Sequence, residues 1–151
     1  MRKFFPLAIL VISFFTACSS DNDEEVIEPI SEQTLSGFVH GDPFLATGGM
    51  SSINGNESIS INLTNTVADC STNILDFVYS VSADVPNRIG FHRNVIVVFS
   101  RENETPLNVL NSIVEITEIT ETQVMGKIRS ESLTEDNMVE GAFVLNVCTD
   151  Q

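Results

Sequence analysis

His40 and Asp42, two residues apart in "HGDP", and His92 further on are the side chains of this sequence with the chemistry to hold a divalent metal. Zinc takes four protein ligands in structural sites and three plus water in catalytic ones. His40 and Asp42 share one tight turn and no fourth ligand is indicated, so a metal site is not expected. A nucleophilic hydrolase needs a serine or cysteine beside a base, and "GGMSS" lacks the closing glycine of a G-x-S-x-G elbow. Both histidines lie next to turns, where exposed loop residues are expected. Paired carboxylates hydrolyse glycosidic bonds only at a defined separation in a cleft. With 21 acidic residues some pair will be close by chance. Glu115, Glu118 and Glu121 surround a predicted hairpin and read as a solvated edge that discourages sheet pairing. "DNDEE" lacks the central glycine and distal glutamate of a calcium loop. The expectation is a protein without catalytic, metal-binding or cofactor-binding residues, and so not an enzyme.

The cysteines carry more information. Cys18 ends an apolar run: Arg2 and Lys3 precede "FFPLAILVISFF", and small Thr16 and Ala17 stand just before the cysteine. Twelve helical residues reach roughly 18 Å, well short of a hydrocarbon core of roughly 30 Å. Residues 1–17 therefore read as a secretory signal rather than a spanning helix. An ordinary signal peptide cleaved nearby would leave Cys18 as a stray thiol, but a tail beginning "CSSDNDEE" is too polar to start a folded domain. The pattern resembles the bacterial lipobox, with Phe15 where Leu, Val or Ile is usual. The resemblance implies that Cys18 is acylated, becomes the first mature residue and tethers the chain to a membrane, more than one acyl chain making the anchor stable.

Residues 18–33 hold six carboxylates and few apolar groups. Such a segment cannot bury enough surface to offset its ordering entropy, so it reads as a flexible linker. Cys18 followed by two serines and an acidic run is similar to surface lipoproteins of the Bacteroidota, which implies outer-membrane anchoring with the domain at the cell surface. If the run is only a solvated linker, the domain faces the periplasm instead. Loss of residues 1–17 removes Arg2 and Lys3 and takes the formal charge from −14 to −16. A surface of that charge repels phosphate backbones and anionic head groups. Nucleic acid is excluded as a partner, and the membrane is reached through the acyl chains alone.

With Cys18 acylated, Cys70 and Cys148 are left in a compartment where disulfides persist. A bridge between them is expected, two buried thiols being the alternative.

Residues 34–151 make one domain with period-two patterning almost throughout. "SISINLT" alternates Ile59, Ile61 and Leu63 against serine and asparagine. "LDFVYSV", "TQVMGKIRS" and "GAFVLNV" alternate likewise. "NVIVVFS" is apolar from Val95 to Phe99 and suits a strand covered on both faces, with Arg93 and Arg101 as flanking gatekeepers. "HGDP", "INGNE" and "ITETQ" are hairpin turns. The fold class is all-β: an antiparallel β-sandwich or flattened barrel of about eight strands, mostly a meander. The layout "LSGFVHGDPFLATGGMSS", then "VP" after the Tyr79 strand, then "TQVMGKIRS" and "VEGAFVLNVC", resembles a group of small Bacteroidota lipoproteins of unknown function. Its elements are glycines, turns and strand apolars, so the resemblance implies a fold and no functional residues.

Sugar-binding platforms usually employ Trp or Tyr. Here there is no Trp, and Tyr79 falls on the inward side of its strand. Phe38, Phe44, Phe77, Phe99 and Phe143 read as core, and Phe91 as the one exposed loop aromatic. The functional expectation is a non-enzymatic interaction or accessory module of the envelope, partnered by an envelope protein or a small ligand. The alternative is a small-ligand carrier with a cavity inside the β-domain.

Overall fold

The computed structural model describes residues 28–134 and 136–149. The expected signal segment, Cys18 with its expected acylation, and most of the acidic tail lie outside the described residues. Nine strands form one sheet: β1 (Ser36–Val39), β2 (Asp42–Leu45), β3 (Gly48–Asn54), β4 (Ser58–Thr64), β5 (Tyr79–Pro86), β6 (Gly90–Arg101), β7 (Leu107–Ile119), β8 (Gln123–Glu131) and β9 (Met138–Val147). Strands β3 to β9 follow one another as a continuous up-and-down meander, and β9 returns to β3 to close a seven-strand barrel. The expected all-β fold, with its barrel option, is the one observed. The extra strand arises because "FLATGGMSS" breaks at Ala46–Thr47 into β2 and β3.

Alternation fills the barrel. Ile59, Ile61 and Leu63 of β4, Val81 and Val85 of β5, Val97 and Phe99 of β6 and Val114 and Ile116 of β7 are at most 2 % exposed and pack into one cluster. Gly126 of β8 is required by packing: a Cβ there would stand 2.8 Å from the ring of Phe143 on β9 and 2.4 Å from the Glu115 carbonyl. An odd meander brings its first and last strands together pointing the same way, so the β3–β9 seam must be parallel. It holds only two residue pairs, Met50↔Asn146 and Ser51↔Val147. The remaining edge of β9 is covered by β1, through Ser36↔Glu140 to Phe38↔Met138.

Residues 28–33, expected as linker, are packed against the barrel. Ile30 is 2 % exposed. The Ala142 N–H donates to the Gln33 carbonyl at 2.7 Å and the Leu35 N–H to the Ala142 carbonyl at 2.9 Å. Arg129 on β8 donates to the Pro29 carbonyl and to Glu140, Glu140 accepts from the Ser31 N–H, and Lys127 pairs with Glu32 and Glu115. Backbone donors left open along β9 thus gain partners, which composition alone does not reveal.

The expected strand over "LDFVYSV" begins only at Tyr79. Ile74–Asp76 form a 3-10 turn capped by the Asn73 side chain, which accepts from the Leu75 N–H, and Leu75 is 84 % exposed. This turn sits in the β4–β5 loop, which is bound to the end of β9 by a disulfide between Cys70 and Cys148, 78 residues apart. The loop runs against β3 closely enough that a Cβ on Gly48 would come within 2.3 Å of the Thr66 carbonyl.

Cross-linking so long a loop contributes up to about 4–5 kcal/mol in the chain-entropy model. Cys70→Ser should lower the unfolding free energy by as much as that amount in non-reducing buffer, and an unchanged thermal midpoint would contradict it. The N-terminal clamp should depend on pH. The Arg129 hydrogen bond is the main cause holding the Glu140 carboxyl below its ordinary value, assisted by the Ser31 N–H and opposed by desolvation. A depressed acid stabilises above its unfolded value near 4.3 and loses that contribution as pH falls through the lower folded value. The protection of the amides in residues 28–33, measured against their intrinsic exchange rates at each pH, should therefore fall severalfold, roughly, as pH drops below about 4, and Glu140→Gln should lower it likewise at neutral pH.

Candidate functional site

Two groups of polar side chains stand out, and they lie toward opposite ends of β6. The first surrounds the β1–β2 turn. His40, with φ of 50°, and Gly41, with φ of 80°, are its two central residues and take the left-handed conformation of a primed hairpin turn. His40 Nδ1 lies 2.9 Å from Glu104 Oε2, and Nε2 lies 3.4 Å from the Phe99 carbonyl. Its N–H donates to Asn137 Oδ1 at 2.7 Å. Arg101 pairs with both Asp42 and Glu104 and stacks over the Tyr79 ring, 5.6 Å from its centroid, and the Tyr79 hydroxyl donates to Asp42 at 2.8 Å. Five elements are thereby pinned together: the β1–β2 turn, β5, β6, the β6–β7 turn and the β8–β9 loop. The His40 ring is thus turned onto a carboxylate and a backbone carbonyl within the clasp rather than toward open solvent. Tyr79 packs on the core as expected, but its hydroxyl serves this clasp.

The second group is a cleft of about 1340 Å³ on the outer face of β3–β6. Register places two rows across its floor: Ser52, Ser60 and Asp84, and beside them Met50, Asn62, Ser82 and Val98. Small hydroxyl and amide side chains dominate the floor, and Ser60 donates to Asp84 Oδ1 at 2.5 Å. The disulfide-bound loop forms one wall, with Ile74, Cys148 and Thr149. The other wall is the irregular start of β6, with Phe91 to Ile96. Asn94 has φ of 55°, and the β6–β7 register shifts on both sides of Val95. These bulges bend β6 away from β5: their pairing stops at Ala83↔Val97, while Asp84 and Pro86 stay on β4. The cleft opens where the two strands part.

Several sequence expectations change here. His92 is in β6, 5 % exposed, and its Nε2 donates to the Arg88 carbonyl at 3.0 Å, so it is not an exposed loop residue. His40 is likewise mostly covered, at 15 % side-chain exposure. His40 and His92 share no site, and among the described residues no group of three or more His, Cys, Asp or Glu is placed to hold a metal. Ile96 and Val98 are not covered on a second side. Ile96 is 50 % exposed and both line the cleft. Phe91 is exposed as expected, at 43 %, whereas Phe38, read as core, is 41 % exposed because the β1–β2 hairpin has one open face. Glu115 is mostly covered beside Lys127, while Glu121 reaches the cleft. The Cys70–Cys148 pair is bridged as expected and fixes one cleft wall. Sequence reasoning missed the cleft floor because serines alternating with isoleucines look like any solvated strand face.

In the clasp, the hydrogen bond to Asp42 holds the Tyr79 phenol above its ordinary value, desolvation adds to this, and Arg101 opposes it. Because Tyr79 is the only tyrosine and there is no tryptophan, its tyrosinate absorbance can be followed without interference. A pH jump on the folded chain should give a midpoint above about 10, and Asp42→Asn should bring it down toward that value. A wild-type midpoint at or below that of the variant would show that the bond does not hold in solution.

No protein-family model, curated protein or solved structure matches the chain, so the reading of these two groups rests on their geometry.

Proposed function

We propose that the protein is a non-enzymatic binding module of the bacterial envelope, anchored through acylated Cys18 and engaging a ligand or envelope partner at the β3–β6 cleft. The observation that carries this reading is the position of the cleft relative to the N-terminal segment. In a ring ordered β9, β3, β4, β5, β6, β7, β8, strand β5 stands opposite the β8–β9 pair. Residues 28–32 are clamped on β8 and β9, through Arg129, Lys127 and Glu140. Ten residue steps separate Cys18 from Glu28 and span at most roughly 35 Å. A tether arriving on the β8–β9 side leaves the β5 side of the barrel turned outward.

The packed barrel favours binding at this outer cleft over the carrier reading, which asks for a cavity among the inward side chains. Of the two polar groups, the clasp turns its histidine ring onto Glu104 and the Phe99 carbonyl, and in the cleft the Ser60 hydroxyl is held by the Asp84 carboxylate, a weak base, while His92 is turned onto the Arg88 carbonyl. The acidic run after Cys18 supports a surface-facing domain, and protease shaving of intact cells separates that from a periplasmic one.

Cys18→Ala should move the protein from the membrane fraction to the soluble fraction without changing the thermal midpoint of the domain. A variant that still sediments with membranes after signal removal would sink the anchored reading.

A further inference from the structure

The cleft's own chemistry narrows what it takes. Ser52, Ser82 and Asn62 each offer both a donor and an acceptor from the floor, and Ser60, whose O–H is given to Asp84, offers an acceptor. Asp84 adds an acceptor fixed by Ser60, and Arg88 at the lip adds a donor-only guanidinium. The charged groups lining the cleft balance, Asp84 and Glu121 against Arg88 and Arg93, in a protein of formal charge −14. An anion would meet no net attraction in the cleft and repulsion from the surface around it. A purely apolar ligand would strip water from the serines and asparagine without replacing its hydrogen bonds. Peptide capture by strand addition needs an open sheet edge, and where β5 parts from β6 the cleft exposes only the short stretch from Asp84 to Pro86, whose proline has no N–H to donate.

We infer that the cleft binds a neutral oligosaccharide, whose hydroxyls are donors and acceptors at once and whose C–H faces lie on exposed Phe91 and Ile96, which stand in for the Trp or Tyr platform that the composition spoke against. The inference rests on the binding-module reading and names its ligand class. Pockets for single small ligands run to roughly 300–1,000 Å³, and this cleft of about 1340 Å³ suits a short chain of sugar rings instead. Neutrality has a measurable consequence: binding should be insensitive to salt, unlike that of a charged polymer.

The test is calorimetry on the full chain in a sugar-free zwitterionic detergent, with a panel of neutral hexasaccharides of differing linkage, uronic-acid oligomers and mixed-sequence decapeptides. A neutral member should bind with equal affinity at low and high salt. Asp84→Asn should weaken it about tenfold or more, as loss of a hydrogen bond to a charged group does. Ser82→Trp, an outward-facing substitution in mid-floor, should abolish binding while leaving the thermal midpoint unchanged. If only uronic-acid oligomers bind, with affinity falling as salt rises, or if only peptides bind and Ser82→Trp blocks them, the ligand class is overturned and the binding-module reading survives. If a neutral hexasaccharide binds and is shortened, the ligand class holds and the non-enzymatic reading is the one that fails. No binding by any probe overturns the inference.

Discussion

The parallel seam between β3 and β9 is the constraint on which the rest of this barrel depends. Six antiparallel steps lead from β3 to β9 and leave the two strands pointing the same way, and only two residue pairs hold the closure between them. Such a short ladder of slanted bonds is weak by itself. What surrounds it compensates. The Ser51 hydroxyl donates across the seam to the Asn146 carbonyl at 3.1 Å, and the Cys148 N–H donates to the Ser51 carbonyl at 2.7 Å. One residue past β9, the disulfide adds a covalent link to the β4–β5 loop. Beyond the reach of β3, residues 33–38 take over the same edge of β9. The N-terminal segment and the disulfide loop are therefore parts of the closure, not appendages to it.

Closing the barrel this way also shapes the cleft. The disulfide loop has to lie over the start of β3 to reach Cys148, and in doing so it raises a wall along the outer face of β3–β6. The opposite wall follows from β6, where Asn94 in a left-handed conformation introduces bulges next to Val95. A bulge raises local twist and turns a strand away from its neighbour, so β5 and β6 separate before their hairpin ends. Closure on one side and a bulge on the other produce the recess on the outer face of β3–β6.

Much of the fold was legible because inward positions alternate with a strict period: Ile59–Ile61–Leu63, Val124–Gly126–Ile128 and Phe143–Leu145 all face the core. The failures share a cause, which is that period-two logic cannot see what lies across a strand. Val95 to Phe99 looked doubly buried, yet only Val95, Val97 and Phe99 face inward, and nothing among the described residues fully covers Ile96. Leu75 matched the alternation, but its N–H is capped by the Asn73 side chain in a 3-10 turn instead. The acidic composition of residues 28–33 suggested a solvated linker, while two basic side chains of β8 brought to it only by folding, Lys127 and Arg129, give that segment its partners together with the backbone of β9. The pairing of Cys70 with Cys148 was legible once the lipobox resemblance had set Cys18 aside; its role as a cleft wall needed the topology. The candidate site was the least legible part, since its floor is assembled from single residues of four strands.

The distribution of basic residues carries the argument one step further. A chain with 21 carboxylates and 7 basic side chains is under general self-repulsion. Lys127 and Arg129 are spent on the N-terminal clamp and Arg101 on the clasp that pins the β1–β2 turn, each in contact with carboxylates. Exposed pairs of this kind contribute little individually, but each stands where a segment outside the barrel must be attached to it. The other two basic residues of the domain, Arg88 and Arg93, both line the cleft. Positive charge is thus placed at the attachments and at the recess, and the remaining surface is left acidic. A surface arranged in this way discourages non-specific contact with anionic polymers and membranes everywhere except in one locally neutral recess, where recognition can depend on hydrogen-bond geometry rather than on charge.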